Sequence, residues 1–326
     1  MSERRPAFRL TALASALHFL VDGMCICCLY LMADTFSTAR LVAVFLTYNV
    51  LAFLSQPLTG WLADRLRCRH LLLFVAVAAL SLALLWSAVI SSVASLGQSG
   101  GALLLLASLL GIGNSLFHVW GGKETAVRTG NDIRALGVFV ATGAMGLAVG
   151  RLLFSWPLLI GMLLTACLLS VTYVYIDVRE RQGSATAASA GAVATVPFRW
   201  PWAAFLVLLV MTAVMLRSFV GEVFASVLPR GELMVLLIGA TAMLGKMAGG
   251  WLAQGLGIVR ALALLLVLVV VCALLKEQHG AIALTGLFVV NCTMPITLYL
   301  ANVVLPGREG LAFGLLAAAL MPGYLL

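Results

Sequence analysis

Polar side chains with a spacing suited to proton transfer lie inside long apolar stretches of the first half of the sequence. His18 and Asp22 are four residues apart in the first stretch, and Asn114 and His118 are four apart in the fourth. Helical residues four positions apart share a face. A carboxyl group beside an imidazole can take up a proton from one side of a membrane and release it to the other, or bind a cationic solute. A hydrogen bond to an adjacent helix is the structural alternative for all four residues.

The second half of the sequence offers candidates of both charges. Arg217 and Glu222 lie five residues apart in the seventh apolar stretch, about 140° apart around a helix, so they need not pair with each other. Arg217 would suit an anionic solute, and Glu222 would suit proton coupling or simple solvation near the outer end. Asn291 and Thr293 lie in the middle of the tenth stretch, where hydrogen bonding between helices explains them at least as well as solute binding does.

Other polar residues have less specific interpretations. Arg151 and Lys246 fall within apolar stretches, and we interpret them as gating charges or as long side chains that extend to the membrane surface. We interpret Lys123 and Glu124 as an exposed pair at the end of the fourth stretch. Candidates of lower weight are Tyr48, Asn49 and Gln56.

The elements that position these groups follow from composition. Hydrophobic residues make up 63% of the 326 residues and charged residues 10%, whereas soluble domains carry about 25% charged residues. This composition predicts an integral membrane protein, in which each span needs about 20 apolar residues. Because lipid offers backbone groups no hydrogen-bond partner, the spans are predicted to be α-helices. Eleven spans are predicted, at residues 10–33, 41–63, 71–94, 101–121, 134–155, 157–177, 201–228, 233–254, 258–276, 281–303 and 309–326.

The basic residues between the spans predict the orientation. With the N-terminus in the cytoplasm, only Arg40, Arg230 and Lys276 lie in outer loops, and the cytoplasmic segments hold fourteen basic residues. This bias is typical of cytoplasmic loops and favours membrane orientation over nucleic-acid binding as the reason for the net charge of +8. The fourteen are Arg4, Arg5, Arg9, Arg65, Arg67, Arg69, Lys123, Arg128, Arg134, Arg179, Arg181, Arg199, Arg260 and Arg308.

Two related halves are predicted on either side of a flexible segment. Residues 182–197 are rich in Ala, Ser, Gly and Thr, a composition typical of linkers. We therefore predict a first bundle of six helices at 1–180, a cytoplasmic linker at 181–199 and a second bundle of five helices at 200–326. The tetrapeptide GWLA begins at Gly60 and again at Gly250, each time at the end of the second span of its bundle. Repeated bundles of this kind are typical of secondary transporters.

The segment from Gly60 to Arg69, GWLADRLRCR, resembles the loop between the second and third spans of the major facilitator superfamily. The resemblance implies an all-α fold of two pseudo-symmetric bundles whose first, fourth, seventh and tenth spans line the solute cavity. It also implies that Gly60, Asp64, Arg65 and Arg69 form a gating loop that locks the outward-facing state. The second copy has Gln254 where the first has Asp64. Since the superfamily has twelve spans, we expect one span to be missing from this chain.

Three further segments resemble drug exporters of that superfamily. His18 with Asp22, and Gly111–His118, are similar to the fosmidomycin-resistance branch, and the fifth span with Gly143, Gly146 and Gly150 is similar to the antiporter motif. These glycines are also expected to let helices approach closely. Arg151 stands where the antiporter motif has proline.

Together these features predict a monomeric secondary transporter in a cell membrane, of the bacterial inner-membrane type. It is expected to move a small organic solute by alternating access, coupled to protons and as an efflux pump, with proton-coupled uptake of a small organic anion or metabolite as the alternative. We predict no enzyme activity, cofactor, metal or nucleic-acid partner: no phosphate-binding loop, nucleophile motif or zinc-ligand spacing is found, and Cys25, Cys27 and Cys28 suit packing. A passive pore, a receptor with a transporter fold and a membrane-embedded enzyme are the competing classes.

Overall fold

A computed structural model describes residues 4–33, 38–97, 99–184 and 200–325. Within these ranges every regular element is helical. The elements of the first half are α1 (Arg4–Ala33), α2 (Thr38–Asn49), a π-helical turn (Val50–Leu54), α3 (Gln56–Arg65), α4 (Leu71–Ser92), α5 (Ala94–Gly97), α6 (Gly100–Arg128), α7 (Ile133–Leu152) and α8 (Trp156–Ser184). Those of the second half are α9 (Trp200–Ser226), α10 (Glu232–Leu256), α11 (Ile258–Leu275), α12 (Gly280–Cys292), α13 (Met294–Val304) and α14 (Glu309–Leu325).

Ten of the described segments are long and apolar enough to cross a membrane, and the apolar segment Glu309–Gly323 is shorter. The prediction of an all-α membrane fold is therefore confirmed. Two predicted spans are each built from two helices, since α2, the π turn and α3 form the second span and α12 with α13 forms the tenth. The fourth and sixth spans run past their predicted ends, to Arg128 and Gln182. Residues 185–199 of the predicted linker lie outside the described residues.

The interruption of the second span has a local cause. The Asn49 amide donates to the carbonyl of Phe45 (2.7 Å), and the Gln56 amide donates to the carbonyl of Ala52 (2.7 Å). Pro57 follows at the start of α3 and brings no N–H to the helical ladder. A π turn widens a helix for a few residues and is frequent at functional sites. It lies beside Asn49, Phe53 and Gln56, which line the central cavity.

The helices form two bundles, α1–α8 and α9–α14, whose most extensive contacts are between two pairs of helices. Helix α7 packs against α1 within the first bundle and against α10 of the second. Helix α3 of the first bundle packs against α14 of the second. Helix α7 therefore contacts the centre of its own bundle on one side and the partner bundle on the other.

The two GWLA segments close the same end of the molecule. The backbone at Gly60 lies so close to Gly310, at the start of α14, that a Cβ atom on Gly60 would overlap the Gly310 carbonyl. At Gly250 a Cβ would lie 2.7 Å from the carbonyl oxygen of Ile133 and 2.9 Å from Cα of Arg134, at the start of α7. Each copy of the repeat thus packs against the first turn of the fifth span of the other bundle, as a pseudo-twofold arrangement requires.

Candidate functional site

A cavity of about 840 Å³ lies between the two bundles. It begins at the centre of the molecule, where His18, Asp22 and His118 line it, and extends toward the ends of α1 and α7, where Tyr30 and Arg151 line it. The close glycine contacts lie at the opposite end, so the structure is closed at that end. A cavity of this size suits a small organic molecule, since ligand pockets hold about 300–1,000 Å³.

At the inner end of the cavity, α1 and α6 bring three ionisable side chains together. The Asp22 carboxylate lies 3.3 Å from His18 Nε2 through Oδ2 and 3.4 Å from His118 Nε2 through Oδ1. The Asn114 amide donates to Asp22 Oδ1 at 2.9 Å. Asp22, His18 and Asn114 are each less than 10% exposed. The two predicted pairs therefore form one cluster, which we call the His–Asp centre (His18, Asp22, Asn114 and His118).

The hydrogen bonds of the two histidines fix which nitrogen faces the acid. His18 Nδ1 lies 2.7 Å from the carbonyl oxygen of Phe139, and His118 Nδ1 lies 2.9 Å from that of Asn114. Because a backbone carbonyl only accepts, both Nδ1 atoms must carry the hydrogen. In the neutral rings both Nε2 atoms then point a lone pair at the Asp22 carboxylate, which also only accepts. A proton on one Nε2 would let that ring donate to the carboxylate, so the arrangement suits the binding of a proton or another small cation.

A glycine on the neighbouring helix leaves room for this arrangement. A Cβ atom on Gly143 of α7 would overlap both Asp22 Oδ2 and His18 Nε2. Gly146 and Gly150, the other glycines of the predicted packing seam, meet the carbonyls of Phe19 and Gly23 on α1 in the same way. These contacts lie within the first bundle. The side of α7 that contacts the second bundle carries Gly137, Ala144 and Ala148 instead.

The second bundle lines the cavity with a different set of polar groups. Arg217, Glu222, Lys246 and Asn291 all face it. The Lys246 ammonium lies within electrostatic reach of Asp22, His118 and Arg217. The Asn291 amide donates to the carbonyl of Leu287 at 2.8 Å. The wall of the first bundle therefore carries the His–Asp centre and Arg151, and the wall of the second bundle carries two cations and one acid, Glu222.

The donor set of the His–Asp centre also has the spacing of a metal site. One ligand atom from each of His18, Asp22 and His118 lies within 4.8 Å of the other two, a cluster that the sequence spacing did not predict. We assign no metal to it, because Asn114 already donates to the carboxylate and Lys246 and Arg217 place positive charge on the facing wall. A divalent cation would bring two positive charges close to Lys246 and Arg217, whereas a proton brings only one.

The predicted gating loop lies at the closed end, and its acid reaches the partner bundle. Asp64 accepts from the backbone N–H groups of Gly310 (2.9 Å) and Leu311 (2.8 Å) at the start of α14. Lys123 Nζ lies 3.4 Å from the same carboxylate. A carboxylate at a helix N-terminus is stabilised by the free N–H groups and by the helix dipole. Arg65 instead stacks over the Trp61 ring at 3.7 Å.

The interpretation of Lys123 and Glu124 as an exposed pair is wrong. Glu124 is 3% exposed and forms ion pairs with Arg69 and Arg128, while Lys123 donates to the carbonyl of Ala63 at 2.6 Å. Arg128 in turn pairs with Asp177, which His70 Nε2 approaches to 2.7 Å. Buried charges persist only when they are paired. Arg128 lies four residues after Glu124, on the same helical face, whereas Arg69 comes from a distant part of the sequence that spacing alone does not reveal.

Thr293 is not brought to the cavity. Its hydroxyl donates to the carbonyl of Val290 at 2.7 Å, at the break between α12 and α13, and it does not line the cavity. Cys25 lies beside the His–Asp centre, where its thiol contacts the carbonyl of Leu110 at 3.9 Å. A contact that spacing did not suggest joins the bundles at the closed end, where Asn302 donates to Asn131 at 2.8 Å. Asn131 has a positive φ of 61°, a conformation that asparagine tolerates better than most residues.

No protein-family model matches the chain, and no curated protein sequence matches it. A solved structure does match it, the crystal structure of a bacterial homologue of the iron transporter ferroportin in an outward-facing state. The TM-score is 0.61, and the match covers 97% of this chain and 90% of that one. The chain has a major facilitator-type fold. At 15% identity the likeness shows the fold alone, and membership of the fosmidomycin-resistance branch stays a prediction.

Proposed function

We propose that the protein is a secondary transporter that moves a small organic solute by alternating access. The observation that carries this proposal is the His–Asp centre at the blind end of a cavity that the two bundles close on one side only. Such a site faces one side of the membrane at a time, and rocking of the bundles about α7 and α10 would expose it to the other side. A passive pore would instead need a continuous polar path that is open at both ends.

Proton coupling is the second part of the proposal. The two Nε2 lone pairs and the Asp22 carboxylate need a shared cation, and a proton on either histidine satisfies them. Other charged or titratable groups around the centre also affect how readily it binds a proton. They are Tyr48 and Cys25 beside Asp22, Arg151 on α7, Arg217 and Glu222 on α9, and Lys246 on α10.

The orientation and direction belong to the same proposal. With the basic loops in the cytoplasm, the closed end carrying Asp64 is cytoplasmic and the cavity faces outward. Efflux remains the direction predicted from the glycine-rich α7. Uptake of a small organic anion is the second candidate, and the observation that favours it is the presence of Arg217 and Lys246 on the cavity wall.

The test is proton flux in proteoliposomes that contain a pH-sensitive dye. A panel of organic acids, sugars, amines and amphipathic drugs is added one compound at a time. We expect at least one compound to evoke a pH change with the wild type, none to do so with Asp22→Asn, and the response to survive in Glu277→Gln. Glu277 is the matched control because it is an exposed acid outside the cavity.

Two results would count against the proposal. A pH response that is unchanged in Asp22→Asn would remove the His–Asp centre from coupling. Loss of the response when EDTA is added would show that a metal ion, rather than a proton, is the cation that the centre needs.

A further inference from the structure

The Lys246 ammonium lies on the cavity wall that α10 contributes. In the described part of the chain it makes no hydrogen bond and no ion pair, and its electrostatic neighbours are Asp22, His118 and the like-charged Arg217. An ammonium group in an apolar surrounding is stabilised by an anion within contact distance. The wall that carries it therefore provides a place for a negative group that the protein does not supply.

We propose that the cavity binds a small organic anion at Lys246 and Arg217, and that anion binding and proton binding at the His–Asp centre strengthen each other. Anion and proton then cross the membrane in the same direction, so the inference favours proton-driven uptake, the second candidate above, over efflux. This inference rests on the transporter function proposed above, and it adds the class of solute and the sign of the coupling.

The backbone around Lys246 is held by close packing. Its carbonyl oxygen would lie 2.8 Å from a Cβ on Gly137 of α7. The preceding residue, Gly245, packs so closely on α12 that a Cβ there would overlap the carbonyl of Phe288. Since α10 is fixed on both sides at this point, the ammonium is presented from a rigid element, as a specific binding site requires.

The charges that line the cavity favour an anion. The cations are Arg151, Arg217 and Lys246, and the acids are Asp22 and Glu222, so with both histidines neutral the cations outnumber the acids. Asp22 is already engaged by Asn114 and faces the two histidines. A cationic solute would meet two cations and one acid, Glu222, on the second bundle and an occupied carboxylate on the first.

The rest of the cavity suits an apolar body attached to the anionic group. The remaining lining of α14 and α9 near Lys246 and Arg217 is mainly apolar. It includes Phe313, Leu316, Leu320, Met321 and Val214. Pockets that bind small organic molecules are mostly apolar, with a few polar groups that fix orientation. A carboxylate or phosphonate on a small hydrocarbon or aromatic body fits this distribution.

The sign of the coupling follows from charge. The Lys246 ammonium acts electrostatically on both Asp22 and His118, so the two walls are close enough to affect each other. A proton on a histidine adds positive charge to the cavity and favours an anion, and by linkage a bound anion favours the proton. A proton and a cationic solute would instead compete, which is the arrangement that antiport requires.

Thermal unfolding of the purified full chain in detergent tests the class of solute. The probes are two sets of nearly isosteric compounds: benzoate, benzamide and benzamidine, and hexanoate, hexanamide and hexylamine. We expect an anion to raise the unfolding temperature of the wild type, with the neutral and cationic analogues giving less. Lys246→Gln should weaken anion binding about 10- to 100-fold, the range expected for one charged hydrogen-bond partner. Lys246→Arg should restore it, and Lys276→Gln, outside the cavity, should leave it unchanged.

Lys246→Gln also has a readout without ligand. Because the substitution removes repulsion between Lys246 and Arg217, the ligand-free variant should unfold at or above the wild-type temperature, which separates loss of binding from loss of fold. Equal stabilisation by the neutral or cationic analogues, anion binding that is unchanged in Lys246→Gln, or no stabilisation by either anion would overturn the proposed anion site.

The dependence of anion binding on pH tests the coupling separately. We expect the wild type to bind the anion more tightly at about pH 6 than at about pH 8, since imidazoles take up protons in this interval. In Asp22→Asn, which lacks the acid, anion binding should be tighter and less dependent on pH. Anion binding that requires Lys246 but does not change with pH would contradict the coupling and the proton-coupled function, and the proposed anion site would still hold. Proton flux without a preference for anions would contradict the anion site, and the proton-coupled function would still hold.

Discussion

The two bundles bring ionisable groups to the cavity in different states. The first bundle presents Asp22, His18 and His118 in contact with one another and held by Asn114 and backbone carbonyls. The second bundle presents Lys246, which forms no hydrogen bond or ion pair with any described side chain and which Asp22 affects only at longer range. A hydrogen-bonded cluster that lacks only a small cation suits repeated proton exchange, whereas an uncompensated cation suits a ligand that arrives from outside. The difference assigns the coupling ion to one bundle and the solute's charge to the other.

The same contrast appears at the closed end. In the first copy of the repeat Asp64 accepts from the first turn of α14. In the second copy Gln254 takes the place of the acid, and the first turn of α7 is capped by its own residue Asp132, which accepts from the N–H of Arg134 at 2.9 Å. The pseudo-symmetric packing is preserved at both positions, but only the first bundle uses a carboxylate to hold its partner.

Removal of the acid from the His–Asp centre should have the largest effect on proton coupling. Asp22→Ala should reduce solute-driven proton flux to the background of empty liposomes. It should also lower the free energy of unfolding by about 3 kcal/mol, because Asn114 and the two imidazoles lose a buried partner. Chemical denaturation and the proteoliposome assay measure the two effects. Glu277→Ala, at an exposed acid, should change neither, and normal flux in Asp22→Ala would contradict the assignment.

A methyl group added beside the centre should disturb it without removing any ligand atom. A Cβ on Gly143 overlaps Asp22 and His18, so Gly143→Ala should destabilise the fold by about 1–3 kcal/mol and reduce proton flux. Gly161→Ala on α8 is the matched control, since no atom lies within 4 Å of a Cβ there. Equal stability of the two variants would mean that α7 does not pack on the centre as described.

The lock at the closed end should be weaker when its charge is removed. In Asp64→Asn the first amides of α14 lose a carboxylate acceptor, so their hydrogen exchange should accelerate about 10- to 100-fold. Gln254→Asn, the corresponding change in the second bundle, should leave the amides at the start of α7 unaffected. An equal acceleration of exchange at the starts of α14 and α7 would contradict the difference between the two copies of the repeat.

The smallest effect is expected at the cap of α7. Burial opposes ionisation of Asp132, but the Arg134 guanidinium and backbone N–H groups outweigh it and hold the pKa of that carboxyl below its usual value. Because the folded pKa is the lower one, the stabilisation is present above the unfolded pKa of about 4 and is lost as pH falls through the folded value. Asp132→Ala should therefore destabilise by about 1 kcal/mol near neutral pH. The difference from wild type should shrink in acid, and a difference independent of pH would refute the carboxylate cap.

Much of this architecture was predictable from the sequence. Apolar stretches of the right length gave the helices, and the four-residue spacing gave the two pairs on α1 and α6. The sequence did not show that the two pairs meet, because that depends on how closely α1, α6 and α7 approach. The burial of Glu124 was missed for a similar reason. A Lys-Glu dipeptide at the end of an apolar stretch indicates a surface position, and the packing that brings the distant Arg69 to Glu124 is not visible in the spacing, although Arg128 lies only four residues away. Lys246 had two local interpretations, and only the packing of α10 on α7 turned it toward the cavity.

Proton uptake on anion binding tests most directly whether the proton binds at the His–Asp centre and the anion at Lys246 and Arg217. The purified protein in unbuffered detergent solution is titrated near neutral pH with whichever of benzoate and hexanoate stabilises it more. We predict that the solution becomes more alkaline as the anion binds, because the His–Asp centre takes up a proton. Asp22→Asn should abolish the change because the anion binds without proton uptake, and Lys246→Gln should abolish it because the anion no longer binds. Proton release on binding, or binding with no change in pH, would contradict the assignment of proton and solute to opposite walls.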